Sequence, residues 1–427
     1  MKQHTVVITG LGVCSPIGLD LRTFEEALRQ GRSGIAHQPE LAELNFRCTV
    51  AGVPLFGAAQ REQLFSPLER KRLSARGVQF GIWAALQAWQ HAGLSLPAND
   101  EAPPHYSRGV LFGTGLSAVH TLREAIYKTD AGQVRRLGSA VVEQTMPSGI
   151  SAYLGGKLGL GNWVSSNASA CSTGTEALIM AARHIASGGA DIMLTGSCDA
   201  DGPHVWGGFD AMRVLSSSFN DEPTRASRPM ASDAEGFVPG SGAGALVLES
   251  LESAQKRGAT IYAEVAGGFL NSGGQRGNGS MTAPHSEGAR RCILGALKQA
   301  EVQPAEIDLI SGHLTSTMGD VREIENWSAA LQLSGRDFPK VNAPKSLMGH
   351  CLSAAGALEC VAAVQQLHGN FVHPSLNCEN IHPSIAEIIH EDCVMRRSEQ
   401  VPLHTVAKCS FGFGDVNAVV IFKKWKT

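Results

Sequence analysis

Ser165-Ser166-Asn167-Ala168-Ser169-Ala170-Cys171-Ser172-Thr173-Gly174-Thr175 runs straight into Glu176-Ala177-Leu178-Ile179-Met180-Ala181-Ala182-Arg183. The first part is a turn of small residues. The second has apolar residues at three- and four-residue spacing and reads as a helix. A strand candidate near 163 precedes both, so the thiol sits in the turn of a strand–turn–helix unit. The first N–H groups of a helix lack partners and its macrodipole is positive there. A thiol at that place is expected to titrate below free cysteine, as a nucleophile does. A buried structural cysteine is the plainer alternative, and the other segments decide between the two.

Outward from this unit the same alternation continues. Apolar strand candidates lie at 5–9, 109–113, 190–195, 243–249, 261–266, 307–311 and 417–422. Helical periodicity lies between them at 76–92, 174–187, 286–301, 321–332 and 352–368. The pattern predicts an α/β fold. A turn followed by an Ala-rich helix at 345–368 repeats the unit at 163–187 and suggests duplication. The polar stretch Ser253-Ala254-Gln255-Lys256-Arg257-Gly258 divides the chain into halves 1–255 and 256–427. The Pro-rich segment 97–107 reads as a surface excursion.

Composition narrows the classes. With 427 residues, 43% hydrophobic and 18% charged, the chain can bury a large core. A net charge of −3 disfavours nucleic acid as the main partner. There are 48 glycines, where about 30 would be usual, and they cluster beside apolar runs. The ten cysteines form no CxxC pair and the fifteen histidines show no ligand spacing, so neither a disulfide framework nor a metal is expected. The start, Met1-Lys2-Gln3-His4, leads into a first strand and turn at Val6-Val7-Ile8-Thr9-Gly10, without the long apolar region of a signal peptide. No apolar run reaches the roughly 18 residues of a membrane helix. A reducing cytoplasm and no membrane are expected.

Three stretches of the second half carry chemistry. Ile307-Asp308-Leu309-Ile310-Ser311-Gly312-His313-Leu314-Thr315-Ser316-Thr317 is a strand ending in a histidine and a hydroxyl-rich turn. Asn342-Ala343-Pro344-Lys345-Ser346-Leu347-Met348-Gly349-His350 leads a second histidine into the helix bearing Gly356 and Glu359. Lys408-Cys409-Ser410-Phe411-Gly412-Phe413-Gly414-Asp415-Val416-Asn417-Ala418 reads as a glycine-aromatic loop before a final strand.

With Cys171, this ordered series resembles the β-ketoacyl-ACP synthases, condensing enzymes of the thiolase superfamily, and is most similar to the elongating type II enzymes. The resemblance spans Val6-Val7-Ile8-Thr9-Gly10-Leu11-Gly12 to Val419-Val420-Ile421-Phe422-Lys423-Lys424. It takes in Ala190-Asp191-Ile192-Met193, Arg228-Pro229-Met230, Asp233, Gly236-Phe237 and Gly242-Ala243-Gly244. It implies a thiolase-like fold, a five-layered αβαβα sandwich from two similar halves, and a homodimer or a heterodimer with a ketosynthase-like partner. The implied reaction is decarboxylative Claisen condensation of an acyl thioester with malonyl-ACP, in fatty-acid synthesis or in a specialised polyene or polyketide pathway. No cofactor is implied.

By the same resemblance Cys171 takes the acyl group from the phosphopantetheine of acyl carrier protein. His313 and His350 stabilise the enolate left when CO2 departs, and Lys345 orients His313 with Glu359 as a network partner. The N–H groups of Cys171 and Phe413 form an oxyanion hole, with Gly412 and Gly414 letting the loop approach. Thr315 and Thr317 bond the pantetheine arm, Phe413 gates the acyl pocket, and Leu116 sets its depth. Lys71, Arg72 and Arg213 match basic positions that face the acidic carrier.

Departures from the family pattern cluster near these residues. Leu314 replaces a glycine and Gly312 an alanine, Met318-Gly319 replaces a proline-containing turn, Ser241 a glutamate, and Asp415 a glycine. Asp415 is expected to add a side chain beside the entrance, and the changes together suggest altered acyl or partner preference. Three rival readings fit less well. A chain-length partner subunit would lack the nucleophilic cysteine. A thiolase would carry a CxG motif near the end, where Cys409 is followed by Ser410 and Phe411. A dinucleotide enzyme needs GxGxxG, and after Gly10 and Gly12 the third position is Ser15.

Overall fold

The computed structural model describes residues 4–99 and 101–426. Met1-Lys2-Gln3 of the start discussed above lie outside the described residues, as do Asp100 and Thr427. Ten strands form one hydrogen-bonded sheet: β1 Val6–Cys14, β2 Arg108–Thr114, β3 Val164–Ser165, β4 Ile192–Asp199, β5 Gly242–Ser250, β6 Ala263–Ser272, β7 Leu309–Ser311, β8 Lys340–Asn342, β9 Thr405–Gly412 and β10 Val416–Lys423. Their order is β8-β7-β9-β10-β6-β1-β5-β4-β2-β3. The first five strands of this sheet in chain order run β1-β5-β4-β2-β3 and the last five β6-β10-β9-β7-β8, so each half repeats the ranks 1-5-4-2-3. The senses repeat too: first–fifth and fifth–fourth antiparallel, fourth–second and second–third parallel. The halves meet where Val7 and Ile8 pair with Glu264 and Ala263.

The helices repeat with the strands. Helix α1, Arg76–His91, follows the first strand and packs on β1, β4 and β5; α3, Ser286–Ala300, follows β6 and packs on β6 and β10. Helices α2, Thr173–Ala186, and α5, Ala355–Gly369, each follow the third strand of their half and pack on one another and on both halves of the sheet. Helix α4, Gly319–Leu331, lies against α3. Successive residues of a strand face opposite layers. Ala245 and Val247 of β5 thus enter the core under α1, and Leu246 and Leu248 enter the central core with Leu178 and Val361. The resulting layers are α1, sheet, α2 with α5, sheet, and α3 with α4. The similarity between 163–187 and 345–368 is the similarity of the two central helices.

Two local expectations change. The first strand does not turn at Gly10 but continues to Cys14, because α1 lies on its backbone. A Cβ on Gly10 would stand 2.2 Å from the Ala88 carbonyl and one on Gly12 2.0 Å from that of Ala84. The stretch from Lys408 to Gly412 is strand rather than loop. Lys408 and Ser410 reach the central helices, and a Cβ on Gly412 would face Ser172, whereas Cys409 points to Glu323 on the other side.

Candidate active site

Ala170 holds φ at 48°, a left-handed conformation that thrusts Cys171 out of the turn ahead of α2. Thr173 Oγ1 closes the turn, accepting the Ser169 N–H at 2.8 Å and donating to the Ala170 carbonyl at 2.7 Å. Ser172 Oγ donates to the carbonyls of Ser410 and Val416 at 3.2 and 3.0 Å, fastening the turn to β9 and β10. Glycines permit the close approach of α2 and α5: a Cβ on Gly174 would lie 2.3 Å from Ala357 N, and one on Gly356 2.7 Å from Thr175 N. The thiol thereby stands over the buried start of α5.

The Cys171 sulfur and one nitrogen of each of His313 and His350 lie within 4.8 Å of one another. The two imidazoles are near perpendicular, with centroids 5.4 Å apart. His350 Nδ1 accepts the Leu352 N–H at 3.1 Å. His313 Nδ1 faces Lys345 Nζ at 3.3 Å. A ring nitrogen facing a donor must offer its lone pair, so in both neutral rings the hydrogen is on Nε2. Burial, then the cations of Lys345 and Lys408, hold both rings well below the usual histidine range. Two neutral rings with Nε2–H suit an oxygen that accepts two hydrogen bonds. They do not suit a metal ion, which needs the lone pairs those hydrogens occupy.

Beneath the rings is a buried charge cluster. Glu359 Oε1 accepts from Lys345 Nζ at 2.5 Å, and its other oxygen is 2.9 Å from Lys408 Nζ. Glu359 therefore joins the two lysines. Lys408 also donates to Ser410 Oγ at 2.9 Å and to the Cys409 carbonyl. Burial alone would discharge Lys408, but the Glu359 carboxylate overcomes this and raises its pKa. Two cations around one anion give the floor of the site a net positive charge. Sequence reading assigned Lys408 no role. The available signal was a lysine inside the apolar run Thr405-Val406-Ala407-Lys408-Cys409, where a charge is rarely buried without a partner.

Two further carboxylates escaped notice, three residues apart on α4. Glu323 accepts the His313 and Leu314 N–H groups, both at 2.8 Å, and lies 3.1 Å from Cys409 Sγ. Asp320 accepts those of Thr315, Ser316 and Met230 at 2.7–3.1 Å. Burial pushes Asp320 up to about 7, against these bonds. The pair fixes the backbone of the turn that carries the first histidine.

The thiol differs from expectation. Burial pushes Cys171 up to about 11, opposed by the N–H of Phe413, the Lys345 cation and its own N–H. Removal from water outweighs these two N–H groups and the Lys345 cation, and the Glu359 carboxylate acts in the same direction as burial. The N–H groups of Cys171 and Phe413 both face it. Around it is a cavity of about 300 Å³, lined by Phe209, Phe237, Thr282 to Pro284, Thr315, Thr317, Met318, Arg322, Phe411, Gly412 and Phe413.

Family models of the β-ketoacyl synthase N-terminal domain and C-terminal domain match residues 3–254 and 262–379. The chain belongs to the β-ketoacyl synthase family. It is 36% identical to 3-oxoacyl-[acyl-carrier-protein] synthase II, chloroplastic, of Arabidopsis thaliana, over all of this chain and 76% of that one. It is 34% identical to 3-oxoacyl-[acyl-carrier-protein] synthase 2 of Vibrio cholerae, over 99% of this chain and 100% of that one. Among solved structures it is similar to a type II polyketide ketosynthase in complex with its acyl-carrier protein (TM-score 0.84, 28% identity, 99% of this chain and 100% of that one). This family member is thus a condensing enzyme of the acyltransferase class.

The enzyme's remaining candidate residues fall in different places. Thr315 and Thr317 join their hydroxyls at 3.0 Å on the cavity wall. Gly414, past the end of β9, has a φ of 88° that a side chain would strain. Leu116 is 45% exposed and is not among the residues lining the cavity; its N–H bonds Asp199 at 2.8 Å as the chain bends away after β2. Lys71 and Arg72 end the short helix Pro67–Arg72, with Arg72 3.7 Å from Glu143. Arg213 is exposed, next to the cavity residue Val214. Arg322, which sequence reading passed over, lines the cavity half-buried.

Leu314 and Gly312 form one compensating pair: a Cβ on Gly312 would lie 2.6 Å from Leu314 Cδ1, so the side chain absent at 312 makes room for the one at 314. Met318 is exposed at the cavity, and Ser241 is buried. Asp415 does not stand at the entrance. It is fully buried behind the Phe413 turn.

Proposed function

We propose that this enzyme elongates fatty acyl chains by decarboxylative condensation of an acyl thioester with a malonyl thioester, both carried on acyl carrier protein. Cys171 attacks the acyl thioester carbonyl; the carbon–sulfur bond to pantetheine breaks, and the departing thiolate takes the Cys171 proton. The malonyl thioester then places its carbonyl oxygen between the two Nε2–H groups. Its carboxylate leaves as CO2, and the electrons of the broken carbon–carbon bond become an enolate held by His313 and His350. The enolate carbon attacks the acyl-Cys171 carbonyl, whose oxygen is received by the N–H groups of Cys171 and Phe413. Cys171 departs as thiolate and regains a proton from solvent. The observation that carries this reading is that the thiol and one nitrogen of each imidazole lie within 4.8 Å of one another, while both Nδ1 atoms face other donors.

The net positive floor favours both developing oxyanions. Thr315 and Thr317 would hold the pantetheine arm, with Arg213, Lys71 and Arg72 facing the carrier. The scheme calls on no cofactor. Action in the cytoplasm is part of this proposal; among the described residues no helix is long and apolar enough to cross a membrane. Strand β3 is an open sheet edge, and Leu116, Leu122, Ile126 and Tyr127 are exposed large apolar residues. A second copy of the chain would cover them.

Cys171→Gln should abolish acylation by an acyl carrier thioester. His350→Ala should still acylate but lose condensation by about 100- to 1,000-fold, the usual cost of one oxyanion donor. Intact-protein mass spectrometry separates the two steps, and a His350→Ala enzyme that cannot be acylated refutes the assignment. A panel of saturated, polyenoyl and aryl-enoyl carriers tests the chain itself; extension of the unsaturated ones alone would move the enzyme to a polyene pathway.

A further inference from the structure

The turn that presents Phe413 is bound to another part of the cavity wall. Phe413-Gly414-Asp415 connects β9 to β10, and Asp415 keeps a φ of 60°. Its carboxylate accepts the N–H groups of Gln275 at 2.9 Å and His285 at 2.8 Å. Its carbonyl accepts the Gly273 N–H at 3.1 Å, and Gly414 N–H donates to the Met281 carbonyl at 2.8 Å. A Cβ on Gly273 would stand 2.3 Å from Asp415 Oδ2, and one on Gly279 2.9 Å. The glycines of Gly273-Gly274-Gln275-Arg276-Gly277-Asn278-Gly279 therefore wrap the chain around this carboxylate. Thr282, Ala283 and Pro284 of the same segment line the cavity that holds Cys171.

Glycine would take this φ without strain, so the turn has no conformational need of an aspartate. What the side chain adds is two charge-assisted hydrogen bonds at a fully buried position. We infer that Asp415 is a positioning residue for acyl transfer: its carboxylate clamps the Phe413 turn to the 273–285 segment, keeping the Phe413 N–H and the Thr282–Pro284 wall in one geometry around the sulfur. The wall cannot retreat from the cavity without carrying that N–H with it. The inference rests on the function proposed above, in which the Phe413 N–H receives the thioester oxygen.

Asp415→Gly removes both acceptors and relaxes the backbone; Asp415→Asn keeps the shape, tolerates the left-handed φ and retains one acceptor. Single-turnover acylation of Cys171 by an acyl carrier thioester should slow about 10- to 100-fold in Asp415→Gly, the range for a displaced reacting group. Asp415→Asn should fall between it and wild type. Amide exchange at 275–285 should accelerate in both. Decarboxylation of the malonyl thioester, which uses the two histidines, should fall far less than acylation. A purely structural role would lower both rates and the melting temperature together, and that result overturns the inference, as does Asp415→Gly acylating at the wild-type rate. A wild-type chain that is never acylated at Cys171 instead refutes the proposed function itself.

Discussion

Glu359→Gln tests the electrostatic floor most directly. The substitution keeps the side chain's shape and deletes the charge between Lys345, at 2.5 Å, and Lys408, at 2.9 Å, leaving two buried cations without a counterion. Removing one member of a buried ion pair costs about 3–5 kcal/mol. Unfolding entropy of about 2.1 cal/mol/K per residue, over 427 residues, comes to about 0.9 kcal/mol/K, so scanning calorimetry should show a midpoint lower by about 3–6 °C. Adding Lys408→Met removes one stranded cation and should recover part of the loss. The same change has a chemical signature. Glu359 raises the Cys171 pKa and Lys345 lowers it, so in Glu359→Gln the pH profile of thiol alkylation should move down. A melting point within about 1 °C of wild type, well below the shift expected from a stranded buried charge, would refute the reasoning. So would a double variant less stable than the single one, or an unmoved alkylation profile.

In the wild type, iodoacetamide alkylation of Cys171 should keep rising with pH toward the value near 11 that burial imposes; a plateau at neutral pH would show a thiolate already formed at rest. Gly312→Ala places a Cβ 2.6 Å from Leu314 and should cost about 1–3 kcal/mol by overpacking, measured by urea unfolding. Combining it with Leu314→Gly should relieve that clash, giving a double-mutant coupling of about 0.5 kcal/mol or more. Simple additivity would show that the two positions do not compensate.

The residues to which the proposed function gives the chemistry were legible because each sits in a short turn of small residues beside an apolar strand or helix. Cys171 in its serine- and alanine-rich turn, His313 at a strand end, and Lys345 and His350 around a Pro-to-Gly turn are placed by local rules. The state of charge was not legible. The helix start argues for an acidic thiol, yet the decisive quantity is how much water β9, β10 and α5 exclude, and those elements lie more than 150 residues away in the chain. Lys408 was missed for a related reason: its neighbours read as a glycine-rich loop, and only pairing with β7 and β10 makes alternate residues face the central helices. The departures Leu314 and Gly312 looked like two separate changes because their compensation depends on the Leu314 side chain folding back over the Cα of Gly312, which spacing alone does not show. Asp415 shows the same dependence from the other direction. Read in its own segment it is a charge added at an entrance; only the return of the chain at 273–285 supplies the two N–H groups that turn it inward, and with it the geometry of the Phe413 N–H.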